Sequence, residues 1–134
     1  TQDFLLQEFI DGIEVEVPFL NIRGDYIILN PIKISTHSEI LTSELSDNND
    51  YIFESLEDSF LCEKLKAATQ KLAQYLGITT YGRVDFRIKS DRSFFVFDVA
   101  TMPYTTKHSS FNYNFEQYEL TLTDVHKLVI LSSL

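Results

Sequence analysis

Tyr81-Gly82-Arg83-Val84-Asp85-Phe86 and, beyond Ser90-Asp91-Arg92, Phe97-Asp98-Val99-Ala100-Thr101-Met102-Pro103 are the stretches that decide how this chain is read. The runs from Tyr81 to Lys89 and from Ser93 to Val99 are rich in Phe and Val, and the polar triplet between them suits a turn, so they predict an antiparallel hairpin. Asp85 and Asp98 stand thirteen positions apart, which places them on neighbouring strands near the hairpin's open end. Two carboxylates so close repel each other unless a cation lies between them, and hard oxygen donors suit Mg2+. Arg83 shares the face of Asp85 by the period of two and adds a planar donor for an anionic group. On spacing alone the plainer reading is a solvated ion pair at strand ends, worth well under ~1 kcal/mol.

Outward from the hairpin, Phe4 to Ile10 predicts a strand closed by the turn-forming Asp11-Gly12. Ile13, Val15, Val17 and Phe19 alternate with Glu14, Glu16 and Pro18, the pattern of a strand with one wet face. Arg23-Gly24-Asp25 turns the chain into Tyr26 to Ile34, where Pro31 implies a bulge or an edge, giving a three-stranded antiparallel start. Residues 35–50 carry four acidic side chains and no lysine or arginine, and are expected to form a mobile surface loop. Leu61, Leu65, Ala68, Leu72 and Leu76 fall on one helical stripe, with Asp58 or Ser59 to cap its start and Gly77 to end it. Thr101 to Tyr118 reads as a hydroxyl-rich loop, and Asp124 to Leu134 as a second helix with Val125, Leu128, Val129 and Ser132 inward. The expected class is α+β, an antiparallel sheet with helices packed on one face, formed by residues 1–134 as a single domain.

Composition narrows the function. The chain has 134 residues, 44% hydrophobic, enough for one core, and its 11 Phe and 7 Tyr argue against disorder. Its 20 acidic side chains outnumber 11 basic ones, a net charge of −9, so a nucleic-acid backbone would repel it. No run of about 20 apolar residues is present and the start lacks the pattern of an export signal, so neither a membrane nor export is expected. The lone Cys62 cannot form an internal disulfide and fits a small core residue in a reducing, cytoplasmic setting.

The two motifs, Tyr-Gly-Arg-Val-Asp-Phe from Tyr81 and Asp-Val-Ala-Thr-Met-Pro-Tyr-Thr-Thr-Lys-His-Ser from Asp98, resemble the C-terminal half of ATP-grasp ligases of the D-alanine D-alanine ligase type. That family has Gly-x-Gly-Arg-x-Asp, a hairpin, and Glu-x-Asn-Thr-x-Pro-Gly-Met-Thr-x-x-Ser. The opening from Leu5 to Val17 is similar to the strands that hold adenine and ribose there. The resemblance covers nearly the whole chain and implies ATP and Mg2+ as cofactors. It implies that Gln7 and the backbones of Glu8 and Ile10 meet the adenine edge, that Phe97 is part of the adenine floor, and that Glu14 takes the ribose hydroxyls. Asp85 and Asp98 would bind Mg2+, Arg83 would steady acyl-phosphate oxygens, and Ser109 would hold the carboxylate of a second amino acid. The implied reaction joins a carboxylate to an amine through an acyl phosphate, with small amino-acid-like substrates. The implied partners are the N-terminal and central ATP-grasp parts of a longer chain, without which this chain should not turn over; a homodimer is also compatible.

The departures from the family pattern support a second reading. Asp98 replaces a glutamate, Ala100 an asparagine that ligates metal, Tyr104 a glycine that lies against the reacting oxygen, and Gln7 a glutamate. Lys33 falls where the family has an acidic residue, and no lysine or arginine lies between Lys33 and Lys64 to supply a cationic lid. On this reading the chain is a degenerate module that has lost catalysis and keeps a binding or structural role. His37, His108 and His126 read best as exposed histidines.

Overall fold

The computed structural model describes residues 4, 6–36 and 50–134. Its elements in chain order are β1 (Ile13–Ile22), β2 (Asp25–Ile28), β3 (Ile32–Thr36), β4 (Tyr51–Ser55), α1 (Ser59–Tyr75), β5 (Tyr81–Ile88), β6 (Phe94–Ala100), α2 (Ser110–Glu116) and α3 (Leu122–Ser132). The strands form one antiparallel sheet in the order β4-β3-β1-β5-β6, with β2 also paired to β1. The expected α+β class, with an antiparallel sheet, is the one found. No helix among the described residues is long and apolar enough to cross a membrane.

The alternation along β1 sorts the sheet into two unlike faces. Val15, Val17 and Phe19 join Val84, Phe86 and Ile88 of β5 on one face, which Leu61, Leu65 and Ala73 of α1 cover. Glu14 and Glu16 point the other way, opposite Arg87 and Asp85 in register. Further along that second face Leu20 packs with Phe111 and Phe115 of α2 and Val125 of α3. The helices therefore divide between the faces, because Leu20 breaks the polar set of β1 and gives α2 and α3 an apolar anchor. Between that anchor and the start of β1 lies a charged strip.

Local signals explain most element ends. Asp58 caps α1, its carboxylate accepting from the Leu61 amide at 3.1 Å, and Gly77 follows with φ of 66°. The buried stripe of α1 is Leu61, Leu65, Thr69 and Ala73, while Leu76 is exposed, so the helix is rolled slightly from the leucine spacing. Ile22 pairs with Asp25, leaving Arg23 (φ 56°) and Gly24 (φ 96°) as a two-residue turn whose positive angles match the twist of the strands. Thr121 and Asp124 form a reciprocal capping box at the start of α3.

Four expectations are corrected. Residues 4 and 6–10 form no strand: Phe4 and Leu6 are almost wholly exposed, so among the described residues their apolar side chains find nothing to pack on; Leu5 lies outside the described residues. Tyr26 to Ile34 is two strands, because the backbone of Asn30 is clamped by the Asn114 side chain (3.0 and 3.1 Å) just before Pro31. Strand β4 was not anticipated. The span Thr101 to Tyr118, expected as loop, contains α2, started by Ser109 as N-cap. Of the expected loop 35–50, Ser35 and Thr36 end β3 and Asp50 has no regular structure; 37–49, with His37, lie outside the described residues.

Candidate nucleotide cleft and adjoining ion cluster

At the start of β1, on its charged face, is a cleft of about 660 Å³ lined by Gln7, Glu8, Ile10, Glu14 and Phe97. These five come from two distant parts of the chain and are brought together by the pairing of β1, β5 and β6. The register of the hairpin shows how Phe97 reaches it. Asp85 pairs with Asp98 but Phe86 pairs with Val96, so Phe97 is the extra residue of a bulge. A bulge re-aims the side chain it carries, and the ring of Phe97 is 53% exposed. The arm that carries Gln7 to Ile10 is fixed at Gly12, where a Cβ would lie 2.1 Å from the Ile88 carbonyl oxygen.

Arg87, Phe9, Phe95 and Val96 complete the lining. Arg87 donates to the Gly12 carbonyl (3.3 Å), lies 3.8 Å from the Glu14 carboxylate, and holds its guanidinium 5.4 Å from the Phe9 ring centre. Burial pushes the Glu14 carboxyl above the ordinary carboxylate range, with Arg87 opposing. Sequence reasoning missed Arg87; its pairing with Glu14 in the β1–β5 ladder was the signal, and that register is a tertiary fact.

Next along the same face is a buried ion cluster. Arg83 donates from Nε and Nη2 to the two oxygens of Asp85 at 2.6 and 2.7 Å, and its Nη1 meets Glu16 Oε1 at 3.2 Å. Glu16 and Asp85 are 5% and 4% exposed. The solvated ion pair that spacing alone favours is therefore not what forms. Burial works against the charge on Arg83, and Asp85 and Glu16 outweigh it, so its pKa is raised. Burial pushes the Glu16 carboxyl up to about 7 against the opposing pull of Arg83, and its second oxygen is buried without a hydrogen-bond partner. Burial likewise raises Asp85, opposed by Arg83. Glu16 had looked like part of a wet face; it is buried, as is Ser110 at the start of α2.

A group whose pKa is higher folded than unfolded takes up its proton more readily in the folded state, so stability falls as pH rises between the two values. For Glu16 that window runs from about 4.5 to about 7, and Glu14 and Asp85 act in the same direction. Urea midpoints measured from pH 4.5 to 7 should therefore fall with pH, and Glu16→Gln should flatten most of that slope. A slope unchanged in Glu16→Gln would show that Glu16 is not the buried titrating group.

The expected Mg2+ ligands Asp85 and Asp98 are neighbours on adjacent strands. Asp98 faces Asp85 across the hairpin, as the spacing predicted, but it is exposed, while both oxygens of Asp85 are taken by Arg83. Ala100, opposite Arg83, has no donor side chain. Among the described residues no three Asp, Glu, His or Cys side chains are grouped to hold a metal.

Ser109 is buried, donating to the Thr106 carbonyl (2.7 Å) and accepting from the Asn112 amide (3.2 Å) as the cap of α2. Tyr104 is exposed. His108 corrects the exposed-histidine expectation: its ring centre is 4.6 Å from that of Tyr51 and 5.0 Å from that of Phe53, and its Nε2 is buried without a partner. His126 is exposed, with Nε2 2.9 Å from the Thr105 carbonyl oxygen. Cys62 donates to the Leu56 carbonyl at 3.2 Å and burial raises its thiol pKa. Lys33 is paired with Glu54 at 2.9 Å.

Sheet, hairpin and cleft define a C-terminal subdomain of an ATP-grasp ligase. Residues 1–130 match the family described as D-ala D-ala ligase C-terminus, and the chain belongs to that family. It is 26% identical over 108 residues to a D-alanine--D-alanine ligase of Coprothermobacter proteolyticus, covering 78% of this chain and 35% of that protein. It is 25% identical over 131 residues to one from Mannheimia succiniciproducens, covering 90% of this chain and 41% of that protein. The chain thus spans well under half the length of these curated relatives. In fold it is similar to the D-alanine--D-alanine ligase of Bacillus anthracis complexed with ATP, with a TM-score of 0.71 at 22% identity over 93% of this chain and 39% of that one.

Proposed function

We propose that this chain is one wall of an ATP site, the C-terminal subdomain of an ATP-dependent carboxylate–amine ligase. The observation that carries this is the convergence of Gln7, Glu8, Ile10, Glu14 and Phe97 on one cleft. In it Gln7 and the backbones of Glu8 and Ile10 meet the adenine edge, Phe97 stacks on the base, and Glu14 accepts from the ribose hydroxyls. Arg83 is the cation beside the phosphate end, its plane held by Asp85 and Glu16. In the ligase reaction, a carboxylate activated as an acyl phosphate and attacked by the amine of a small amino-acid-like substrate, such a group positions and neutralises anionic oxygens. Ser109 serves the fold instead, its hydroxyl donating to the Thr106 carbonyl and capping α2. The rest of the site, with the substrates, comes from the N-terminal and central parts of a longer protein.

A second reading, that the wall binds nucleotide but has lost acyl transfer, is favoured by one observation: Ala100, opposite Arg83, has no donor side chain where the family has a metal-ligating asparagine. Both readings require nucleotide binding. Stacking of a base on an aromatic ring is worth about 1–3 kcal/mol, so Phe97→Ala should weaken ATP binding by roughly tenfold or more in calorimetry on the full-length protein. Phe97 is exposed, so folding should be unaffected. Unchanged affinity in Phe97→Ala and in Glu14→Ala would remove the cleft from consideration.

A further inference from the structure

We infer that Arg87 is a positioning residue of this cleft: its guanidinium holds the Gln7–Ile10 arm and the Glu14 carboxylate in one fixed arrangement, and so makes the wall select ribonucleotides over 2′-deoxyribonucleotides. The inference rests on the nucleotide reading of the cleft and deepens it, naming what sets its selectivity for the sugar. Glu14, Arg87 and Phe95 lie in one row across β1, β5 and β6, paired Glu14 with Arg87 and Arg87 with Phe95, and all three line the cleft. From the middle of that row Arg87 reaches both the arm and Glu14. Its Nη1 donates to the Gly12 carbonyl at 3.3 Å and lies 3.8 Å from Glu14 Oε2, and its guanidinium carbon lies 5.4 Å from the Phe9 ring centre. A planar fork can make these contacts together, the ring contact by cation–π attraction. A lysine could pair with Glu14, but its point charge has no fork with which to reach Gly12 and Phe9 as well.

The contacts join the two halves of the proposed ligand site. Phe9 stands between Glu8 and Ile10, whose backbones meet the adenine edge, and Gly12 is where the arm meets the sheet. Residues 6–10 belong to no strand, so side-chain contacts such as that of Arg87 with Phe9 fix the arm in place of a ladder. Glu14 is held by charge. Its side chain and that of Arg87 are each 13% exposed, and Arg87 opposes the effect of burial on its carboxyl. The carboxylate is thereby kept against the sheet as an acceptor at a set place. A fixed, buried acceptor rejects a ligand that lacks the hydroxyl it receives, because the acceptor is then left unpaired. Without Arg87, Glu14 takes up a proton or turns toward water, and the 2′ hydroxyl loses its partner while the base keeps Phe97.

The test has two arms, both on the full-length protein with Arg87→Met and with Arg87→Lys, the second of which keeps a charge beside Glu14 and so preserves folding. In the first arm amide exchange is followed without nucleotide. Exchange at residues 7–12 should quicken by about threefold or more in both variants, with α3 unchanged. Unchanged exchange at 7–12 would overturn the inference whatever the cleft binds. In the second arm calorimetry gives the affinities for ATP and 2′-deoxy-ATP, each in excess MgCl2. The parent protein should prefer ATP by about tenfold or more, and both variants should lower that preference by about threefold or more. A preference kept at its parent value would overturn the inference, since an Arg87 that served only the fold would weaken both nucleotides alike. Failure of ATP to bind the parent protein, with exchange at 7–12 quickened as expected, would instead overturn the nucleotide reading, and the sugar selectivity with it, while the hold of Arg87 on the arm would stand.

Discussion

Arg83→Met should destabilise the protein by about 3–5 kcal/mol, the usual cost of removing one partner from a buried ion cluster. Asp85 and Glu16 are both nearly inaccessible, and three contacts to the guanidinium now offset the burial of their charges. Without it two carboxyls are left in a dry site, and they must take up protons or draw water in. A diagnostic companion is the triple variant Arg83→Met, Asp85→Asn, Glu16→Gln, in which no charge is left unpaired. It should recover much of the loss, because replacing a whole buried cluster by neutral groups is often near neutral. Urea unfolding measures both. A loss below about 1 kcal/mol in Arg83→Met would return the cluster to the solvated pair suggested by spacing alone.

The second large effect is expected at Gly12. An added Cβ there would lie 2.1 Å from the Ile88 carbonyl oxygen and 2.7 Å from its carbon, both backbone atoms that cannot swing aside. The contact sits where β1 begins, opposite the end of β5, since Ile13 pairs with Ile88. Gly12→Ala should therefore push the arm that carries Gln7 to Ile10 away from the sheet. Overpacking of this kind costs about 1–3 kcal/mol, and nucleotide affinity should fall by roughly tenfold or more as the cleft loses one side. The two losses are separable. Gly24→Ala, at a turn where a Cβ meets nothing within 4 Å, should cost stability through its positive φ yet leave affinity unchanged. Equal affinities in Gly12→Ala and the parent protein would show that the arm is not part of the site.

The parts of the fold that were legible in the sequence are those in which the periodicity is long or the turn chemistry strong. The alternation from Ile13 to Phe19, the leucine stripe of α1 and the hairpin around Ser90-Asp91-Arg92 each carry enough local preference to form as read. The pairing of Asp85 with Asp98 was legible for the same reason, being set by one turn. Strand β4 and helix α2 were not, since five and seven residues carry too short a pattern. Tertiary contacts hold them instead: Ile32 to Thr36 gives β4 its partner, and Phe111 and Phe115 give α2 its anchor on Leu20.

The site divides similarly. Which residues belong to the cleft could be expected from the family resemblance, and the structure brings Gln7, Glu8, Ile10, Glu14 and Phe97 together. The chemistry at its far end could not, because alternation says which face Glu16 is on but not whether that face is wet. That depends on α2 and α3, far along the chain, packing over this face on Leu20. Asp85 pairs with Arg83, two residues before it on the same strand, and it is the burial of that pair that the spacing did not reveal.

Nucleotide is expected in the cleft between the Gln7–Ile10 arm and the bulge of β6. Amide hydrogen exchange of the full-length protein, with and without ATP, tests it most directly. Slowed exchange at residues 7–14 and 94–98, with no change in α3, is the predicted result; protection absent from both segments while ATP is bound elsewhere would contradict it.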